Sequence, residues 1–180
     1  DLLGLRTVVS RGPVEGAVAE AGVHWRWRET VLPRVLNPTS VRVYATPMPP
    51  PAAYAGTDFR TQVWLPGDAS TTGCAVQGAG VAVPGRVTYS ANLVEIEYRA
   101  DRPAWVVLNE IAAPGWVALV DGREVPLVRS NAVFRGACVP AGTHRLAFRF
   151  SPWRMIRSRW MPDLLATPHR SAVPVSGNTP

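Results

Sequence analysis

The sequence predicts an all-β protein, a jelly-roll-like antiparallel β-sandwich with an irregular, Pro-rich N-terminal portion. Its 180 residues include 18 Pro and 15 Gly, which interrupt the chain too often for long helices and suit short strands joined by turns. Short apolar segments follow one another closely after residue 80, several of them with strand-like alternation. A hydrophobic content of 47% allows a buried core, and the length fits one domain with extensions.

The first part of the chain is the least regular. Within residues 1–46, the segments RTVVS, VHWRWRETV and VRVYATP are predicted strands that pack on the sandwich. Residues 47–58, PMPPPAAYAGTD, are too rich in Pro for a sheet and indicate an extended linker. The sandwich itself is predicted to span residues 59–152, and TQVWLP is a further predicted strand.

Two consecutive strands after this point have different patterns. In LVEIEYRA, residues 93–100, apolar and charged side chains alternate, so Glu95, Glu97 and Arg99 share one face. A pair of carboxylates is suited to acid–base chemistry, but the arginine on the same face favours a charge-balanced surface exposed to solvent. RPAWVVLNEI, residues 102–111, is almost continuously apolar, as is typical of a strand covered on both faces.

Two hairpins are predicted to follow. The Asp121-Gly122 pair between WVALV and REVPLV favours a tight turn, because such turns need positive φ angles. The segments AVFRGACV and HRLAFRF are predicted to pair around a second tight turn at residues 140–142, PAG. Trp116, which begins the first hairpin, and Trp105 are predicted to fill the core of the sandwich.

No pattern in the sequence predicts a catalytic residue, a cofactor site or a metal site. The histidines, His24, His144 and His169, lie on separate segments without the spacing of metal ligands, and each is expected on the surface or in a turn. No Ser or Cys has the neighbouring base of an activated nucleophile. Residues 78–85, GAGVAVPG, lack the strand and helix that flank a phosphate-binding loop, so they are predicted to form a turn.

The two cysteines, Cys74 and Cys138, are too far apart in sequence for the C-x-x-C spacing of a zinc or redox site. Two interpretations stay open: a single disulfide if the chain lies outside the cytoplasm, or two small buried apolar side chains. The chain has no signal-peptide pattern and no apolar run of the roughly 20 residues that a membrane-spanning helix needs. Because its first residue is not Met, we expect it to be part of a longer protein.

The net charge is +6, and every basic residue apart from histidine is an arginine. Most of the arginines are scattered, so nucleic acid is not an expected partner. Residues 153–180 are predicted to be a basic segment followed by a flexible tail. The combination of tryptophan and arginine in this segment fits a peripheral contact with a membrane interface. The residues concerned are Trp153, Arg154, Arg157, Arg159 and Trp160.

Four tryptophans are candidate contacts with a glycan or with an interface, because an exposed Trp ring stacks on sugars and also favours membrane surfaces. Trp25 and Trp27 lie two residues apart on one face of a predicted strand. Trp153 and Trp160 lie at the two ends of the basic segment.

Residues 93–152 resemble the C-terminal extracytoplasmic domain of the bacterial YfhO family of membrane proteins. The resemblance rests on several short motifs that occur here in the family's order and spacing, whereas the segments LLGLRTVVS and VLNPTSVRVYATP match more loosely. The matching positions are Pro114, Gly115, Trp116, Val120, Asp121, Gly122, Asn131, Phe134, Arg135, Pro140, Ala141, Gly142 and His144, followed by two aromatic residues before Pro152.

The resemblance implies a large polytopic membrane protein, similar to GT-C type glycosyltransferases that use lipid-linked sugars to decorate cell-envelope polymers. In that family the catalytic acidic residue lies in an early extracytoplasmic loop, which this chain does not contain, so no catalytic residue is carried over. Ala112 and Ala113 stand where many relatives have aromatic residues. The first hairpin is therefore expected to be a structural motif and not a sugar platform.

The function expected from this resemblance is that of a non-catalytic accessory or acceptor-recognition domain on the extracytoplasmic face of the cell membrane. Its partners would be the membrane helices of the parent protein or an envelope glycan. Two alternatives belong to other classes. One is a free-standing carbohydrate-binding module, which needs coplanar exposed aromatic rings, and the other is a structural domain that docks on membrane proteins.

Overall fold

The computed structural model describes residues 7–10, 18–20, 23–27, 32–44, 54, 56–67, 73–74 and 79–160, and for residues 7–10, 20, 23–27 and 158–160 it describes the backbone alone. These residues form fourteen strands and one helix. The strands are β1 Thr7–Ser10, β2 Val18–Glu20, β3 Val23–Trp27, β4 Val35–Leu36, β5 Ser40–Tyr44, β6 Gln62–Pro66, β7 Ala82–Ser90, β8 Leu93–Ala100, β9 Ala104–Ile111, β10 Trp116–Val120, β11 Arg123–Val125, β12 Val128–Ser130, β13 Phe134–Val139 and β14 Gly142–Phe150, and the helix is α1 Pro152–Trp160.

Two antiparallel sheets form a β-sandwich, which confirms the predicted fold class. One sheet has the strand order β11-β10-β14-β8-β7, and we call it the β14 sheet. The other has the order β12-β13-β9-β4, and we call it the β9 sheet. Apolar side chains from both sheets make one buried cluster between them, including Ile96, Leu146 and Phe148 from the first and Val106 and Leu108 from the second.

A second buried cluster covers the other face of the β9 sheet. There Trp105 and Val107 of β9 pack with Trp64 and Leu65 of β6, and all four side chains are at most 2% exposed. Strand β6 pairs in parallel with β5. Strand β9 is therefore buried on both faces, as its continuous apolar sequence predicted.

The alternating patterns in β8 and β14 are also confirmed. In β14 the buried side chains of Leu146 and Phe148 face the core, while Arg145 and Arg149 are exposed on the other side. The first predicted hairpin is formed by β10 and β11, with Val120 opposite Arg123. Its turn contains Asp121 at φ 48° and Gly122 at φ 80°, the positive angles that the Asp-Gly pair predicted.

The second predicted hairpin is wrong. Strand β13 pairs with β9 and β12 in one sheet, whereas β14 pairs with β8 and β10 in the other. Residues 140–142 therefore carry the chain from one sheet to the other. The physical reason is that β13 is covered on both faces and β14 on one, so the two strands belong to different layers.

The predicted turn at residues 78–85 is also wrong, because β7 begins at Ala82. Strand β7 lies at the edge of the β14 sheet, and its register shifts between Pro84 and Val87. An edge strand with an irregularity tolerates proline and glycine, since one side of its backbone needs no partner.

The N-terminal strands are arranged in three ways, the first of which is the pairing of β5 with β6. Strand β4 is hydrogen-bonded to β9, so residues 35–36 belong to the β9 sheet itself. Strands β1, β3 and β2 form a separate three-stranded sheet in that order. Most of the predicted linker, residues 47–53 and 55, and the predicted flexible tail, residues 161–180, lie outside the described residues.

Candidate functional site

The sandwich has two ends, and the candidate contacts are divided between them. At one end, strand β9 finishes at Ile111 and strand β10 begins at Trp116. Trp116 lies opposite Phe150, the last residue of β14, after which the chain enters α1. We call this the helix end. The opposite end carries Asp121 and Gly142, and we call it the turn end.

Arg135 links the two sheets at the helix end. Its guanidinium carbon lies 3.7 Å from the centre of the Trp116 ring, so a side chain of the β9 sheet stacks on one of the β14 sheet. Its Nη2 donates to Glu110 Oε2 at 2.7 Å, and its Nε donates to the Ile111 carbonyl at 3.2 Å. Burial lowers the pKa of Arg135, and the Glu110 carboxylate opposes that shift.

The same carboxylate accepts a hydrogen bond from a second arginine. Arg34 Nη2 donates to Glu110 Oε1, and the Arg34 guanidinium lies 4.0 Å from the centre of the Tyr89 ring. Tyr89 is on β7, at the far edge of the β14 sheet from Trp116. Two cation–π contacts joined by one carboxylate thus run across the helix end, and their geometry stabilises the junction of the sheets.

Helix α1 is attached at this end. The Ser151 amide donates to the Gly115 carbonyl at 2.7 Å, and Arg154 Nη2 donates to Glu124 Oε2 at 2.7 Å. Trp153 is 75% exposed and Ile156 is 42% exposed. The predicted basic segment is therefore helical in residues 152–160, with apolar side chains open to solvent.

The turn end holds a histidine–carboxylate pair. His144 Nδ1 lies 2.6 Å from Asp121 Oδ2, and His144 Nε2 lies 2.9 Å from the Ala141 carbonyl oxygen. The backbone N–H of Arg145 donates to Asp121 Oδ1 at 2.9 Å. Both ring nitrogens face acceptors, so the imidazolium form is the one that satisfies them, and neither nitrogen is left for a metal or a substrate proton.

The pKa values follow from these bonds. The pKa of His144 is raised, first by its hydrogen bond to Asp121 and then by the bond to Ala141. The pKa of Asp121 is lowered, first by the backbone N–H of Arg145 and then by His144. The pair therefore joins the β10–β11 turn to the start of β14.

A groove of about 610 Å³ lies on the outer face of the β14 sheet. Charged side chains of both signs line it, and within it Arg145 lies 3.6 Å from Glu95. This agrees with the charge-balanced face that the sequence of β8 predicted. Among the described residues that line the groove, none is a Trp, Tyr or Phe, the side chains that most often stack on sugars.

The tryptophans predicted as contacts are not gathered into one site within the described residues. Trp25 and Trp27 lie in β3, opposite Val9 and Thr7 of β1. Trp153 and Trp160 lie in α1 at the helix end. The side chains of Trp25, Trp27 and Trp160 lie outside the described part of the chain.

The prediction that Trp105 and Trp116 fill the core of the sandwich needs correction. Trp105 is fully buried, but it lies in the second cluster, on the other face of the β9 sheet. Trp116 is half-buried at the rim of the core, where Arg135 covers its ring and Phe150 lies 5.6 Å away between ring centres. The reason is its position at the first residue of β10, where the sheet ends. Sequence alone gave no sign of the Arg135 contact, because the two residues are on different sheets.

Cys74 and Cys138 are joined by a disulfide, with their Cα atoms 5.7 Å apart. The bond ties the segment after β6 to strand β13, beside the second buried cluster. Of the two interpretations that the sequence left open, the structure has the disulfide.

In the described ranges, no group of three or more metal-ligating side chains comes together. The helix that the structure describes is too short and too polar to cross a membrane, and no other described segment forms such a helix. Comparison with known proteins finds no matching family model, no similar curated protein and no similar solved structure.

Proposed function

We propose that this chain is a non-catalytic extracytoplasmic domain of a YfhO-like membrane protein, acting as an accessory or acceptor-recognition domain in cell-envelope glycosylation. The observation that carries the extracytoplasmic location is the disulfide between Cys74 and Cys138. Disulfides persist in oxidising compartments and are rare in the cytosol, where thiols are kept reduced. The link to glycosylation rests on the resemblance of residues 93–152 to the YfhO family.

A non-catalytic role is supported by the way in which the polar side chains are used. His144, the histidine whose side chain the structure describes, has an acceptor at each ring nitrogen. Glu110 is shared between two arginines, and Glu95 lies beside Arg145. These acids and bases pair with one another and hold strands together, which supports a structural role for them.

The positions that carry the family resemblance have structural roles here. Trp116 and Arg135 stack on each other, Asp121 and Gly122 make the hairpin turn, and Gly115 lies under α1. A motif of this kind specifies a fold, so it supports membership of a structural family without assigning chemistry to the domain.

The free-standing carbohydrate-binding module is the less favoured alternative. Such a module needs coplanar exposed rings, and within the described side chains the exposed tryptophan, Trp153, has no second ring beside it that the structure records. The outer groove is charged instead of aromatic.

Deletion in the native gene tests the proposal. The coding region for residues 59–152 would be removed in frame, and glycosylation of the envelope polymer measured together with the membrane level of the remaining protein. We expect glycosylation to fall while the remaining protein stays in the membrane. A Val83→Ala variant, changed at an exposed site, is the matched control. Unchanged glycosylation after the deletion would overturn the proposed function.

A further inference from the structure

We propose that the outward face of α1 binds the surface of a bilayer that contains anionic lipids. The inference rests on the proposed function in one respect, which is that the domain lies next to a membrane. It adds a lipid partner and a contact surface, which we call the α1 face, defined by Trp153, Ile156 and Arg157.

The way in which α1 is attached decides which side faces outward. A Cβ atom built on Gly115 would lie 2.9 Å from Met155 Cβ and 2.8 Å from the Phe150 ring, so the Met155 side of the helix is pressed against the first hairpin. Arg154 pairs with Glu124 of β11 and fixes a second point. Met155 keeps 40% of its surface exposed beside this contact, and the opposite side of the helix carries Trp153 and Ile156, which are 75% and 42% exposed.

The spacing of the apolar residues along α1 makes a stripe. Positions 153, 156 and 160 are three and four residues apart, so they lie on one face of a helix with 3.6 residues per turn. By the same geometry Met155 lies well away from that stripe, in agreement with its contact at Gly115. Trp153 and Ile156 therefore point away from the sandwich.

The charges near the stripe indicate which kind of membrane surface the helix would bind. Residues 152–160, PWRMIRSRW, contain three arginines and no acidic residue. Glu124, the carboxylate that contacts the helix, is neutralised by Arg154. Arg157 and Arg159 flank the stripe by helical spacing, which suits the combination of apolar insertion and attraction to anionic headgroups seen in interfacial helices.

The rest of the helix end agrees with a membrane contact. Ile111, where β9 finishes at the same end, is 67% exposed. A helix of nine residues is only about 13 Å long. That is small for a stable protein interface of roughly 1,200 Å² or more, whereas one Trp ring among headgroups is a common interfacial anchor.

Co-sedimentation of the 180-residue chain with lipid vesicles tests the inference. We expect binding to phosphatidylcholine vesicles that contain phosphatidylglycerol, little binding to pure phosphatidylcholine vesicles, and weaker binding at high salt. Trp153→Ala should weaken binding about tenfold, and Arg157→Gln about fivefold. Val83→Ala and Arg99→Gln, changed at exposed sites on the sandwich, are the matched controls and should bind as the unchanged chain does.

Three results would overturn the inference. The first is binding that is the same for Trp153→Ala as for the unchanged chain, and the second is no binding to anionic vesicles at all. The third is a stable dimer that Trp153→Ala dissociates, since the α1 face would then be covered by a second copy. Thermal melts of each variant establish that it is folded. Because the vesicle assay does not use glycosylation, its failure is separate from failure of the proposed function.

Discussion

The Arg135 guanidinium stacks on the Trp116 ring at 3.7 Å, and this contact joins the two sheets of the sandwich at the helix end. Arg135 is only 4% exposed, yet its charge is balanced because Glu110 accepts a hydrogen bond from it at 2.7 Å. A buried cation with both an ion pair and an aromatic face is a strong constraint on how the sheets meet.

Replacing Arg135 tests that constraint. We expect Arg135→Met to lower the free energy of unfolding by about 2 kcal/mol, because the stacking contact and the buried ion pair are lost while Glu110 keeps its bond to Arg34. The free energy of unfolding of Arg135→Lys should lie between those of the unchanged protein and Arg135→Met, since lysine keeps the charge but not the planar stack. Urea unfolding measures both. Arg99→Met, at an exposed site in β8, should change stability by less than about 0.5 kcal/mol. An equal loss in that control would contradict this account.

A glycine pair tests the attachment of α1. Gly115 has φ 92° and its space is filled by Phe150 and Met155, whereas Gly122 has φ 80° and open space around it. Gly122→Ala should therefore cost about 1 kcal/mol from backbone strain alone. Gly115→Ala should cost about 2–3 kcal/mol, because the Phe150 ring and the helix must also move. Equal losses in urea unfolding would show that α1 does not press on the hairpin.

The disulfide should contribute strongly to stability. Cys74 and Cys138 are separated by 64 positions, and a loop of that size corresponds to roughly 4 kcal/mol in the chain-entropy treatment. We expect the free energy of unfolding of the Cys74→Ala/Cys138→Ala double variant, measured with urea, to be about 3–4 kcal/mol lower than that of the unchanged protein. With reductant present the two proteins should become similar. If the difference persists with reductant, the stabilisation comes from packing of the thiols instead.

Stability should depend on pH at both sides of a maximum. The raised pKa of His144 means that its contribution is fully present below its ordinary value of 6.5 and is lost as pH rises through the raised value. The lowered pKa of Asp121 means that its contribution is present above its ordinary value of 3.8 and is lost as pH falls through the lowered value. In thermal melts across pH, the unchanged protein should lose stability as pH rises through the pKa of His144, and His144→Gln should not show this alkaline decline. An unchanged alkaline decline in that variant would assign the effect to another group.

The sequence predicted the features that are set by local patterns. Strand β8 alternates because one face is solvent, and the Asp121-Gly122 turn follows from the backbone angles that a two-residue hairpin needs. Strand β9 was predictable from its continuous apolar run.

Features that depend on which strands become neighbours were not predictable in the same way. Strands β13 and β14 are joined by a short turn-like segment, as a hairpin would be, yet they lie in different sheets. The available signal was the weak alternation of FRGACV, which is buried on both faces. The pair of Asp121 and His144 requires the register of β10 against β14, which no local pattern contains.

The redox state of the cysteines in living cells tests the central claim of an extracytoplasmic domain most directly. Intact native cells would be treated with a membrane-permeant alkylating reagent, and the protein then isolated under denaturing conditions and analysed by mass spectrometry. We predict that Cys74 and Cys138 stay unmodified until a reductant is added, because the disulfide that joins them is already formed. Alkylation of both cysteines without reductant would contradict the extracytoplasmic location.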